Sequence, residues 1–197
     1  MVEAWKSFVN SVGNCIQCKS FPKVRVVSSP EAWNGCEPPD PRGVLDFSRR
    51  RVFFVSEAPP GGVNRTFFYC NDTDTLRQHL FEALGIAGFA VTTLEDFYQL
   101  NCYLLPSFCY PCGSSSSGAN SHPDPSMVEH SATIHLRLAL DYLQPSRIVL
   151  LGERAAWAAR AFPSPCFVTY WPTKRLKNYR QHWNRFLVPT LRAALAS

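Results

Sequence analysis

The amino-acid sequence predicts an α/β fold: a three-layer α/β/α sandwich around a short, mainly parallel four-stranded sheet. Three observations lead there. Short, β-rich apolar runs alternate with segments of helical spacing. The stretches between successive runs are long enough to carry crossover helices, which parallel strands need. The 197 residues, 46% hydrophobic and 18% charged, suit one sizeable core, so 1–197 reads as a single domain rather than a disordered chain or a coiled coil.

The elements follow in order. Trp5, Phe8 and Val12 lie three and four residues apart and predict a short helix over 2–12. KVRVV, 23–27, reads as a short strand, and SSPEAWNGCEPPDPRG as a loop dense in Pro and Gly. RVFFV, 51–55, is the continuous apolar run expected of a buried parallel strand, with loop residues from Ser56 onward. Asn71 and Asp72 are capping residues for a helix through DTDTLRQHLFEALG, with Leu76, Leu80, Ala83 and Leu84 on one face and Gly85 ending it. FYQLNCYLL, 97–105, reads as the next strand, and the Ser/Gly-rich loop 106–126 after it is too long to be idle in a compact domain. Helical spacing returns over 127–143 through Ile134, Leu138 and Tyr142, closed by Pro145. RIVLLG, 147–152, is a strand, ERAAWAARAF a helix, and CFVTYWPT, 166–173, a strand ending in a loop. Sites in such sheets lie at the carboxyl ends of the strands. SEAPPGGVNRTFFY, the residues after Asn101 and TYWPT are therefore expected at one rim.

The net charge is +5, with 20 Lys and Arg against 15 Asp and Glu. Arg49, Arg50 and Arg51 form one cluster, and Lys174, Arg175, Lys177, Arg180, Arg185 and Arg192 crowd the last quarter. Such clusters serve either a polyanionic partner or a solvated helix face. No apolar run approaches the roughly 20 residues that span a bilayer, and the N-terminus lacks a basic start followed by an apolar stretch. A cytoplasmic protein without membrane contact is expected. In a reducing compartment its eight cysteines point to metal or core packing. The CxxC pairs Cys15/Cys18 and Cys109/Cys112 can supply four thiolates to zinc or an iron–sulfur cluster, whereas Cys36, Cys70, Cys102 and Cys166 read as small buried side chains.

Glu57 leaves a buried strand into a loop, where a carboxylate can activate water or stabilise a cationic sugar; the competing reading is a loop carboxylate capping local amides. Pro59, Gly61 and Gly62 permit a tight backbone path close to a ligand. Phe67, Phe68 and Tyr69 follow Asn64 and Arg65 and offer either a stacking wall for a planar base or core packing. Asn101, in an apolar run, needs amide partners, which are either a pyrimidine edge or loop backbone.

Taken together, these residues resemble the uracil-DNA glycosylase superfamily, especially its family 4 and family 5 branches. VSEAPP looks like the first motif of the former, and APPGGVNRT like the latter's Ala-Pro-x-x-x-Gly-x-Asn-Arg-Thr. QLNCYLLP, RIVLLGERAAWA and TYWPT follow in the family's order, so the similarity covers most of residues 10 to 195. The resemblance implies an α/β/α sandwich and a monomeric DNA glycosylase. Its substrate would be a flipped pyrimidine, uracil or a C5-modified cytosine such as occurs in phage DNA. Excision would leave an abasic site, in DNA repair or anti-phage defence. By position, Glu57 and Asn64 would be catalytic, Phe67, Phe68, Asn101 and Trp171 would bind the base, and Arg65, Lys174, Arg175 and Lys177 would hold the DNA backbone. Cys15, Cys18, Cys109 and Cys112 would ligate a structural metal, zinc slightly favoured over a four-iron cluster.

Three departures stand beside the match. Trp171 occupies the position of the second motif's usual His; RTFF shortens the segment before the aromatics; and SMVEHSATIHLRLALDYL lacks the family's last cluster cysteine. The alternative reading is a catalytically inactive member that binds DNA or protein through the same rim.

Overall fold

A single parallel sheet organises the chain, with strands β1 (Val52–Ser56), β2 (Cys102–Pro106), β3 (Arg147–Leu151) and β4 (Cys166–Thr169) in the order β2-β1-β3-β4. The computed structural model describes residues 2–21, 24, 32–59, 67–112, 122–162, 166–174 and 177–196. In register, Phe54 pairs with Leu104 on one side and Val149 on the other. All five residues of β1 are buried, because neighbouring strands and both covering layers enclose it.

The helices are α1 (Val2–Gly13), α2 (Ile16–Ser20), α3 (Pro41–Val44), α4 (Thr75–Ala87), α5 (Leu94–Gln99), α6 (Pro125–Ser131), α7 (Arg137–Leu143), α8 (Glu153–Ala156), α9 (Tyr179–His182) and α10 (Val188–Leu195). π turns join α6 to α7 (Ala132–Leu136) and α9 to α10 (Trp183–Leu187). Short 3₁₀ turns span Ala32–Gly35 and Trp157–Ala161. α1 packs against α7, and α4 against α10. Side chains alternate across a strand, so Tyr103 and Leu104 face opposite layers. Tyr103 meets Trp5 of α1 at 5.9 Å, and Phe54, in register with Leu104, meets Phe97 of α5 at 5.6 Å. The result is the α/β/α sandwich expected. No helix among the described residues is long and apolar enough to cross a membrane.

Arginines close three helices. Arg51 donates to the carbonyls of Leu143 and Gln144 at the end of α7, at 2.7 and 3.0 Å. Arg147 donates to Ala193, Ala194 and Ala196 at the end of α10, and Arg192 to Ile86 and Ala87 at the end of α4. These contacts satisfy carbonyls that a helix leaves unpaired and place cations at the negative dipole end. Arg49 and Arg50 also bind carbonyls, of Gln99 and Ala196. The Arg49–Arg51 cluster therefore has a structural use that neither sequence reading anticipates.

Several local expectations are corrected. α4 begins after Asp74, whose carboxylate accepts the Arg77 N–H, and ends at Gly88 with φ of 99°, so Gly85 is interior. The run 97–105 is not one strand, because Thr93 and Asp96 form a capping box that starts α5. Asn101, at φ of 60°, then turns the chain into β2. Ile134 and Leu138, whose spacing marked their helix, are 47% and 43% exposed, because the π turn rotates His135 and Ala139 inward. Cys36 and Cys70, expected as small buried side chains, form a disulfide with their Cα atoms 5.9 Å apart, and Cys70 is exposed. Of KVRVV only Val24 is described, in an antiparallel bridge to Cys112; the rest, and residues 113–121 of the Ser/Gly-rich loop, lie outside the described residues.

Candidate functional site

Two assemblies of chemically active side chains stand out, a metal-ligand quartet beside α2 and a cluster centred on Glu57 at the rim of the sheet. The quartet begins with the CxxC of α2. Cys15 is the helix N-cap, and its Sγ accepts the Cys18 N–H at 3.3 Å, which turns both thiols to one side. The other two members come from the α6–α7 segment. Cys15 Sγ lies 3.4 Å from His130 Nε2, and Cys18 Sγ lies 3.4 Å from His135 Nε2. All four ligand atoms fall within 4.8 Å of one another.

This geometry fits a single ion. Tetrahedral bonds of zinc-like length would separate sulfur from nitrogen by about 3.6 Å. The quartet could therefore hold a metal with two Cys and two His. Residues five apart in an α-helix point about 140° away from each other. The π turn Ala132–Leu136, with its wider i→i+5 repeat, brings His130 and His135 onto one side. Ser11 of α1 contacts His135 Nδ1 at 2.7 Å, which orients Nε2 toward the thiols. Burial, reinforced by neighbouring His130, lowers the His135 pKa to about 4, and burial also lowers that of His130. Burial pushes the Cys18 thiol far up, with further contributions from Cys15 and Cys109. Without a cation the pocket thus favours neutral imidazoles and an un-ionised Cys18 thiol, and a divalent ion would displace the thiol proton.

The expected four-cysteine set is corrected accordingly. Cys15 and Cys18 belong to the quartet, whereas Cys109 and Cys112 do not. Burial pushes the Cys109 thiol up to about 12, despite nearby Ser131 and Trp33, and the backbone carbonyl of Cys109 accepts the Trp33 N–H at 2.7 Å. Cys112 Sγ lies 3.8 Å from the Tyr110 carbonyl. The sequence did carry a signal for the histidines, a Cys-x2-Cys with a His-x4-His, which is ordinary zinc spacing.

The rim cluster is built on Glu57, just beyond β1. Its backbone carbonyl accepts from Ser107 Oγ at 2.7 Å and from the Phe108 N–H at 3.1 Å, which ties it to the end of β2. Its carboxylate Oε2 lies 2.9 Å from His122 Nδ1 and 3.6 Å from Arg154 Nη1, and its side chain remains 16% exposed. Gly152, after β3, completes the wall. A Cβ there would stand 3.4 Å from Glu57 Oε1 and 3.5 Å from Trp171 Cβ. With φ of 95° and ψ of 162°, Gly152 adopts a conformation essentially confined to glycine. Trp171 follows β4, and the next residue, Pro172, gives its carbonyl to His79 of α4 at 2.8 Å. Strand ends β1, β3 and β4 thus converge on Glu57, Gly152 and Trp171, as the parallel topology requires. His122 and Arg154 were not anticipated; nothing in their local sequence marks them, since only folding brings them to Glu57.

The remaining expected site residues are distributed differently. Phe67 and Phe68 are buried, and Phe68 packs against Phe81 and Phe97 at 5.9 and 5.6 Å. Tyr69 seals the sheet edge: its hydroxyl donates to the Leu104 carbonyl and accepts the Leu104 N–H of edge strand β2. Asn101 is at the amino end of β2, opposite the rim. Its amide accepts the Asp46 N–H at 2.9 Å and donates to the carbonyls of Asp46 and Arg50 at 2.7 and 3.0 Å. It is a structural amide, and the expectation that it reads a base is corrected on that ground. Lys174 pairs with Glu82 of α4, and Lys177 is exposed. Asn64, Arg65 and Arg175 lie outside the described residues. Compared with protein-family models and with curated proteins, the chain has no significant match.

Proposed function

We propose that the chain is a monomeric DNA glycosylase that hydrolyses the N-glycosidic bond of a flipped pyrimidine, either uracil or a C5-modified cytosine, in repair or anti-phage defence. The observation that carries this reading is the Glu57 carboxylate at the strand rim, with Oε2 held by His122 and Arg154 and Oε1 beside Gly152 and Trp171. In the reaction the bond from C1′ to the base nitrogen breaks, and its electron pair leaves with the base. The Glu57 charge stabilises the sugar cation, and water adds to C1′ as its proton passes to Glu57. In this reading the Trp171 indole N–H is one donor to the departing base. With Asn101 engaged elsewhere, base recognition falls to the rim.

The test is release of an abasic product from matched oligonucleotides containing uracil, cytosine, 5-hydroxymethylcytosine or its glucosylated form. Excision of at least one, reduced about a hundredfold or more by Glu57→Gln, is expected. No release from any of them defeats the proposal. The position of Asn101, together with Trp171 at the place of the motif histidine, favours the second reading, a member of the fold that binds DNA without cutting it. DNA binding with no abasic product selects that reading.

We further infer that the quartet holds zinc in a structural role. Each cysteine is within 3.4 Å of a histidine, so the four groups share one ion; a two-iron cluster with mixed ligands would place Cys and His on different irons. All four positions come from protein, which leaves none for substrate. Metal analysis of the purified chain tests this, and iron with inorganic sulfide sinks it.

A further inference from the structure

We propose that Tyr170, His182 and Phe186 form a stacking surface for the unpaired bases of single-stranded DNA. This rests on the nucleic-acid reading above and names the strand form that the rim receives. Tyr170 lies between edge strand β4 and Trp171, so the surface is continuous in the chain with the rim. The three rings pack on one another, with centroids 4.4 Å apart for Tyr170 and His182 and 4.9 Å for the other two pairs. They are not closed over: Tyr170 remains 51% exposed and Val168, on the same edge, 56%. Arg185 holds its guanidinium 5.1 Å from the Phe186 ring centre.

Charge indicates what covers these rings. Residues 166–197 carry six Lys or Arg and no Asp or Glu. Glu82 of α4 meets Lys174 and Arg180, and Arg192 closes α4, while Lys177 and Arg185 are exposed. Rings beside cations, in a segment without carboxylates, complement a ligand that offers both phosphates and planar faces. Single-stranded nucleic acid offers both, whereas a duplex keeps its base faces stacked inside.

The test uses fluorescence anisotropy with the full chain, a labelled oligothymidylate and a duplex of equal length, neither containing a base to excise. Single-strand binding tighter than duplex binding is expected. Tyr170→Ala and Phe186→Ala should each weaken it about tenfold while leaving its salt dependence unchanged. Tyr170→Trp, which keeps a ring, should retain it. Arg185→Ala should instead reduce the salt dependence by about one phosphate contact. Thermal melting checks that each variant is folded. Single-strand affinity indifferent to both alanine variants overturns the proposal. A preference for duplex overturns it too, as does a dimer in sedimentation that Tyr170→Ala dissolves. Failure to bind any DNA removes the nucleic-acid reading as well, so the two failures are distinguishable.

Discussion

His135 Nε2 lies 3.4 Å from Cys18 Sγ, although 117 residues separate them in the chain. A metal at that point would cross-link α2 to the α6–α7 segment. One metal ion per chain is predicted, with Cys18→Ser or His135→Ala losing it and lowering the melting temperature by roughly 10 °C, as expected for a loss of several kcal/mol. Deleting Thr133 would leave the two histidines four apart in plain α-helix, again on one face, and should retain the metal. Atomic absorption and calorimetry read both outcomes.

Cys109→Ala should leave the metal content unchanged, since its thiol is outside the quartet. Its burial sets a modest stability cost of about 1 kcal/mol. Loss of metal from this variant would restore a three- or four-cysteine site.

Asn101 holds the Asp46–Arg50 turn through its amide and adopts φ of 60°. Asn101→Ala should destabilise the protein by about 1–3 kcal/mol in denaturant unfolding, because the part-buried carbonyls of Asp46 and Arg50 and the Asp46 N–H lose their partner. DNA affinity of the folded variant should be unchanged; a selective loss of pyrimidine recognition would contradict the structural assignment.

Gly152→Ala should cost about 1–3 kcal/mol through its backbone conformation alone. The added methyl would also stand in van der Waals contact with Glu57 Oε1 and Trp171 and cover one carboxylate oxygen. Any activity that depends on Glu57 should therefore fall further than stability does, measured as initial rate against melting temperature.

Asp96 accepts hydrogen bonds from the backbone and hydroxyl of Thr92 and from the Thr93 N–H, which lowers its pKa from 3.8 to about 2. The folded state thus holds this carboxylate charged where the unfolded chain takes up a proton. The contribution is fully present above about pH 4 and is lost as pH falls through about 2. Asp96→Asn should flatten acid unfolding in that window, followed by circular dichroism.

Legibility followed the range of the interactions. The continuous apolar runs RVFFV and RIVLL announced buried parallel strands because both faces of such strands need apolar side chains. Phe97 and Tyr98 looked like strand residues, but the Thr93–Asp96 box, a local signal of equal reach, placed them on α5. Ile134 and Leu138 fit a regular helical stripe, yet one π turn, stabilised by contacts outside the helix, reassigned the buried face to His135 and Ala139.

Glu57 was recognisable from its own neighbours, because a carboxylate leaving a buried strand must arrive at a rim. Its partners His122 and Arg154 come from the ends of other crossovers, and no local pattern encodes their approach. The two CxxC pairs were visible as motifs, but spacing along the chain does not say which motifs meet. Local sequence thus determined the apolar runs that carry the four strands, the helices α1, α4, α6, α7 and α8, and the rim, since backbone propensity and apolar periodicity act over a few residues. The choice of His130 and His135 over Cys109 and Cys112, and of backbone over base for Asn101, was left to tertiary structure. Those choices depend on which distant groups packing brings within about 3 Å, the distance at which ligation and hydrogen bonding become decisive.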